Sequence, residues 1–252
     1  MPRKAREKSE SGIYHVILRG INKQIIFADD EDRIKFIETL KECKEKSGYK
    51  IYAFCLMGNH IHLLIQEGKE DLGVVFKRIG ASYVYWYNWK YKRCGHLFQD
   101  RYRSEVVESE IYFLTVVRYI HQNPIKAGLV KDILDYRWCS YNEFIVSKEF
   151  VDIDYTLDII NQDRKKAIEG FKAFHREVNN DTCLEIEDNR RLTDHEAIEK
   201  VKKTCNIING QELQQFAPEI RNRYLKELRE QGLSTRQLER LTGISRMIIL
   251  KA

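Results

Sequence analysis

The stretch Ile51-Tyr52-Ala53-Phe54-Cys55-Leu56-Met57-Gly58-Asn59-His60-Ile61-His62-Leu63-Leu64-Ile65-Gln66 sets two short apolar runs on either side of a Gly-Asn break. Gly58-Asn59 is a hairpin-type turn signal, so the runs on its two sides should lie antiparallel. Side chains alternate along a strand, which puts His60 and His62 on one face and Ile61 and Leu63 on the other. Their Cα atoms would then stand roughly 6.5 to 7 Å apart, close enough for two ring nitrogens to reach one ion at about 2.1 Å each. A His-x-His strand taken alone is more often a pair of half-exposed histidines. A metal site needs a third ligand and a reactive group from elsewhere.

Working outward, Ile13 to Leu18 are β-formers and Arg19-Gly20-Ile21-Asn22 breaks the run as a turn would. Asp29, Asp30 and Asp32 precede Ile34, Phe36, Ile37 and Leu40 at helical spacing, which predicts a helix to about Lys46. Glu70 to about Tyr91 reads as a second long helix that stops around Cys94-Gly95. Phe98 to Val107 is strand-compatible and arginine-rich, and Ile111 to Gln122 is helical until Asn123-Pro124 ends it. The order is that of an α+β, ferredoxin-like βαββαβ antiparallel sheet with one further helix appended. Residues 1–150 are expected to form this domain. Beyond Val146 the chain becomes more charged and less periodic, so 151–192 reads as a helical linker region.

Residues 193–252 read as a small all-α helix-turn-helix domain. Thr193-Asp194-His195-Glu196 and Ser234-Thr235-Arg236-Gln237 have the form of capping boxes. A helix between Arg221 and Gln231 closes at Gly232, a short helix reaches Leu241, and after Thr242-Gly243-Ile244 a last helix starts with Ser245 as its cap.

Composition narrows the class without naming a function. The 252 residues are 43% hydrophobic and 32% charged with a net charge of +5, an ordinary globular chain tilted towards polyanions. Met1 to Ser11 has no apolar run, and no stretch approaches the roughly eighteen apolar residues of a membrane span, so neither a signal peptide nor a membrane partner is expected. The six cysteines show no Cys-x-x-Cys spacing, which speaks against a zinc ribbon or disulfide scaffold and for reduced thiols in a cytoplasm.

The missing ligand and reactive group are both available in Arg118-Tyr119-Ile120-His121-Gln122-Asn123-Pro124. Tyr119 and Asn123 fall four apart, on one helix face, so a phenol and an amide oxygen could share one metal-bound phosphate. Two imidazoles with an amide oxygen suit Mg2+ or Mn2+, the latter more tolerant of nitrogen. Between Tyr83 and Arg103, Tyr85, Trp86, Tyr87, Trp89 and Tyr91 interleave with Lys90, Lys92, Arg93, Arg101 and Arg103. Aromatic faces that stack bases beside cations that hold phosphates are how single strands are bound, although Tyr83 and Trp86 equally suit the core side of a helix. His121 and Lys126 flank Tyr119 and are candidate phosphate contacts. His15, His96, His175 and His195 have no partner that the sequence can name.

The string Gly58 to Leu64, together with Tyr119 to Val130, resembles transposases of insertion sequences that move as single strands, and especially REP-associated tyrosine transposases of the HUH endonuclease class. The resemblance spans about Gly12 to Ile145 and extends to Arg19, Gly20 and Asn22, to Gly95 through Tyr102, and to Trp138 through Tyr141. It implies a nickase and strand transferase acting through a 5′-phosphotyrosine, with Tyr119 catalytic and His60, His62 and Asn123 holding a divalent metal. Arg19, Asn22, Lys90, Arg93, Arg101, Arg103 and Lys126 are the implied DNA contacts, with single-stranded or hairpin DNA as partner. Arg221 onward resembles the duplex-binding helix-turn-helix of bacterial replication initiators, which would bring Ser245 and Arg246 to the major groove, though only a short helix remains for reading bases. A cytoplasmic, nucleoid-associated monomer or homodimer is expected, with Tyr119 facing its own histidines or a partner's. The alternative is a non-catalytic DNA-binding regulator or an RNA-binding ferredoxin-like module.

Overall fold

A computed structural model describes residues 6–99, 101–185 and 194–252. The chain divides into two compact units, Met1–Glu185 and Ile186–Ala252. Among the described residues no helix is long and apolar enough to cross a membrane.

The first unit mixes helices with a four-stranded antiparallel sheet. Its elements run β1 (Ile13–Arg19), α1 (Asp30–Ser47), β2 (Lys50–Leu56), β3 (His60–Gln66), α2 (Leu72–Lys90), β4 (Arg103–Val106) and α3 (Glu110–Lys126). The strands lie in the order β2-β3-β1-β4. In register, Arg19 stands opposite His60, Ile17 opposite His62 and His15 opposite Leu64. On the far side of β1, His15 pairs with Glu105 and Ile17 with Arg103. By alternation, one face of the sheet therefore carries His15, Arg19, His60, His62, Arg103 and Glu105. The opposite face carries Val16, Leu18, Ile61, Leu63 and Ile65, buried in one core with Phe36, Leu40, Ile79 and Tyr83 from the paired helices α1 and α2. The helix α3 packs against β2 and β3.

Local chemistry fixes the element ends. Asp29 and Asp32 form a reciprocal capping box at the start of α1, and Gly48 closes the helix in the left-handed conformation at φ 69°. After β1 the chain turns through Asn22 and Lys23 at φ 50° and 62°; an asparagine tolerates that region because its amide bonds locally. Gly20 is required there by space: a Cβ would fall 2.2 Å from the Gln24 carbonyl oxygen. Its amide donates to the Asn59 carbonyl at 2.9 Å, binding the end of β1 to the hairpin turn.

Two expectations are corrected in this unit. The helix α3 does not end at Asn123-Pro124 but runs to Lys126 with Pro124 inside it. A proline so near the C-terminus removes a single backbone donor, while the Ala127 amide still donates to Asn123 and that of Leu129 to Pro124, both at 2.9 Å. The unit also continues past residue 150. After α4 (Tyr141–Ile145) come α5 (Ile153–Ile160) and α6 (Arg164–Arg176), whose Leu157, Ala167 and Phe171 join the main core. Asp152 accepts from the Ile51 amide at 3.0 Å and from Lys44 at 2.7 Å, tying this segment to the start of β2. The charge that suggested a linker lies on the outer faces of helices docked by a few apolar residues.

The second unit comprises α7 (Asp194–Cys205), α8 (Pro218–Glu230), α9 (Thr235–Thr242) and α10 (Arg246–Lys251) around Val201, Leu225, Leu228, Leu238 and Ile249. The Ser234–Gln237 capping box forms, and Gly243 ends α9 in the left-handed region. Ser245 occupies the cap position of α10, but its hydroxyl makes no capping hydrogen bond. The box expected at Thr193 falls outside the described residues.

Candidate active site

Three aromatic side chains from three elements meet on the polar face of the sheet. The Tyr119 ring of α3 lies 5.9 Å from the His62 ring and 5.8 Å from that of His15, centroid to centroid. His60 and His62 are 5.0 Å apart with their planes at 77°. The tyrosine helix thus meets the histidine pair of its own chain. Tyr119 is 3% exposed, as is His62, and His15 is fully buried. The Lys126 ammonium sits 4.7 Å from the phenol ring centroid, a cation–π contact from about two helical turns further on.

The hydrogen bonds at the pair are directional. His60 Nδ1 and Asn59 Oδ1 are 2.7 Å apart, and His62 Nδ1 is 3.1 Å from His15 Nε2. Burial in this apolar pocket pushes the His62 pKa well below the usual histidine range, helped by the neighbouring His15 and His60. Asn123 donates its amide N–H to the Tyr119 carbonyl at 2.9 Å, so Oδ1 is the atom it has to offer an ion. Among the described residues no three His, Cys, Asp or Glu side chains gather as a closed metal site.

The Tyr119 hydroxyl donates to Glu185 Oε1 at 2.9 Å. Burial first, and the Glu185 carboxylate second, raise the phenol's pKa far above its ordinary value. The segment carrying Glu185 is held by Arg118, whose guanidinium donates to both Asp181 oxygens at 2.7 and 3.0 Å and to Glu177 at 3.0 Å. The Leu184 amide donates to Glu105 at 3.0 Å.

Residues 8–123 match the family model of IS200-like transposases. A Haemophilus influenzae protein bearing the name REP-associated tyrosine transposase is 24% identical over 152 residues, covering 54% of this chain and 84% of that one. A solved structure of a REP-associated tyrosine transposase bound to a REP hairpin shares the fold with a TM-score of 0.52 at 18% identity, covering 61% of this chain and 90% of the other.

The residues expected to meet DNA fall into distinct groups. Arg19 pairs with His60 across the strands, beside the histidines, and Asn22 forms the exposed turn just beyond it. Arg103 is exposed on β4, opposite Ile17 of β1, and Arg101 is exposed just before that strand. Arg93 lies over the Tyr87 ring and donates to the His96 carbonyl. Lys90 differs from expectation: Asp29, Glu31 and Asp32 grip its ammonium at 2.8 to 2.9 Å, because the acidic start of α1 packs beside the end of α2. Its charge is already balanced within the fold. Of the aromatics, Tyr83 and Tyr87 are buried, whereas Tyr85 and Trp89 are 79% and 73% exposed. In the second unit Arg246 pairs with Glu239 of α9.

His121 is corrected outright. It is fully buried, 2.7 Å from Ser140 Oγ and 3.0 Å from His175 Nε2, on the far side of α3 from the sheet histidines. Two positions from Tyr119 on a helix is half a turn away, so both cannot face the same ligand. Among the residues that sequence reading missed is His15. The signal was parity: once His62 is set opposite Ile17, His15 falls on the same face.

Proposed function

We propose that this chain is a sequence- or hairpin-specific single-stranded DNA endonuclease and strand transferase acting through a 5′-phosphotyrosine on Tyr119. The observation that carries this reading is the meeting of a phenol with a His-x-His pair inside an IS200-like domain. The strand order β2-β3-β1-β4 supports the ferredoxin-like description of that domain.

The donor set fits a divalent ion. Both imidazoles engage a neighbour through Nδ1, the habit of ligands that coordinate through Nε2. His60 and His62, with Asn123 Oδ1, would hold Mg2+ or Mn2+, which when bound supplies Lewis-acid polarisation of the scissile phosphate. The rest falls to the chain. As the Tyr119 oxygen bonds to phosphorus, the P–O3′ bond breaks, giving a 5′-phosphotyrosine and a 3′ oxygen that takes up a proton while the phenolic proton passes to solvent. The phosphotyrosine keeps the energy of the ester, so a second 3′-OH can attack it and release Tyr119 without ATP. Lys126 over the ring favours negative charge developing on the phenol oxygen.

Tyr119 is buried and its hydroxyl is given to a carboxylate, so a phosphodiester reaches it only when the Glu185 contact opens. Arg19, Arg101 and Arg103 would track the strand's phosphates, and exposed Tyr85 and Trp89 would stack its bases. Hairpin DNA is the substrate class suggested by the related structure bound to a REP hairpin. The helices α9 and α10, with Ser245 and Arg246 leading the last, are proposed as a helix-turn-helix that holds duplex DNA.

The test is a pool of single-stranded hairpin oligonucleotides incubated with the protein and Mn2+, then resolved on denaturing gels. A covalent protein–DNA adduct is expected from the wild type and none from Tyr119→Phe. An adduct of undiminished yield in Tyr119→Phe would remove the assignment.

A further inference from the structure

His15 makes sense as a part of the histidine site although it is not placed to bind an ion beside His60. Its Nε2 is 3.1 Å from His62 Nδ1, the rings are stacked at 5.4 Å, and its Nδ1 lies 3.9 Å from Glu105 Oε2. That last gap exceeds a hydrogen bond, and Nδ1 is a buried polar atom with no hydrogen-bonding partner. Glu105 is itself fixed: its Oε2 accepts from the Tyr112 hydroxyl at 2.6 Å and from the Leu184 amide at 3.0 Å. The register sets the alignment, since β1 lies between β3 and β4 and pairs His15 directly with Glu105.

The polarity of this row has one favourable sense. A neutral imidazole carries one proton, so each ring donates at one nitrogen and accepts at the other. If His15 carried its proton on Nε2, the Nδ1 lone pair of this buried ring would face the Glu105 carboxylate, which is repulsive. With the proton on Nδ1, the ring's positive edge faces the carboxylate, and Nε2 becomes an acceptor for His62 Nδ1–H. His62 is then left with its lone pair on Nε2, the form a metal ligand needs.

We propose that His15 and Glu105 are positioning residues that set the tautomer and ring orientation of His62 for its metal. The proposal rests on the metal-site reading given above. Ligand-orienting partners of this kind typically change metal affinity by about 10- to 100-fold when removed.

The experiment titrates Mn2+ by electron paramagnetic resonance into the wild type, His60→Ala, His15→Leu, His15→Gln and Glu105→Gln, with circular dichroism confirming each fold. His15→Leu is expected to weaken Mn2+ binding by about 10- to 100-fold. His15→Gln, whose amide oxygen can accept from His62, should stay within about threefold of wild type. Glu105→Gln, half-exposed and least able to disturb folding, should lose about tenfold. Long-range proton–nitrogen correlation spectra of the metal-free wild type should show His62 protonated at Nδ1. If His60→Ala abolishes binding while His15→Leu and Glu105→Gln bind as the wild type does, the orienting role is overturned. If the wild type binds no Mn2+, the metal reading fails instead, and the spectra still decide the row: a His62 protonated at Nε2 overturns it.

Discussion

Acid should loosen the first unit through His175, and the size of the effect follows from one row of hydrogen bonds. His175 Nδ1 donates to the Phe171 carbonyl at 2.9 Å, so its Nε2 must accept from His121 Nδ1, 3.0 Å away. His121 Nε2 in turn accepts from the Ser140 hydroxyl at 2.7 Å. Every ring nitrogen is committed, and a proton added to either imidazole sets donor against donor in a dry core. Burial lowers the His175 pKa from 6.5 to about 4, the Phe171 carbonyl opposing it only in part. Burial also holds His121 well below its ordinary value. The unfolded chain takes up the His175 proton near pH 6.5 and the folded chain only near 4. Between those values the unfolded state binds more protons, so stability is full above pH 6.5 and falls as the pH is lowered. At about 1.4 kcal/mol for each pH unit crossed, His175 alone removes about 3 kcal/mol by pH 4. Urea unfolding followed by tryptophan fluorescence reads this unit alone, because Trp86, Trp89 and Trp138 all lie within it. His175→Gln lowers the starting stability by lost packing but should flatten the decline between pH 6.5 and 4 by about 3 kcal/mol. Parallel curves for the two proteins would refute the reasoning.

Arg118→Ala should cost about 3–5 kcal/mol, since it strands Asp181 in a nearly buried position without its partner, and a urea midpoint implying under about 1 kcal/mol would contradict that. Glu185→Gln removes the charge that, after burial, most raises the Tyr119 pKa, and should speed covalent adduct formation by on the order of tenfold at neutral pH. A slower adduct would instead mark Glu185 as an aid to the attack.

The sheet and its first helices are legible in sequence because each is written twice, once in periodicity and once in end chemistry. Alternation in Ile61 through Ile65 agrees with the Gly58-Asn59 break, and Asp29 with Asp32 agrees with the apolar spacing of α1. Where only one signal is present, the reading goes astray. Pro124 looks like a terminator because sequence cannot show that the remaining turn has other bonds, and the run after Val146 looks like linker because two helices with narrow apolar stripes carry mostly charge. At the site, His60, His62 and Tyr119 announce themselves through spacing and resemblance. His15, Glu105 and Glu185 do not, because their roles come from strand registry and from a loop that returns long after α3. Lys90 illustrates the reverse: a cation in a basic, aromatic stretch is neutralised by carboxylates some sixty residues upstream.

The pairing of β1 with β3 has an implication for how such a site could decay. A slip of one residue would turn Ile61, Leu63 and Ile65 onto the face beneath α3 in the same movement that turned His60 and His62 into the core with α1 and α2. Misaligned molecules therefore lose their apolar core along with the meeting of the histidines and Tyr119. Folding acts here as an inspector, and a chain that passes has its imidazoles already facing outward from the core towards the tyrosine.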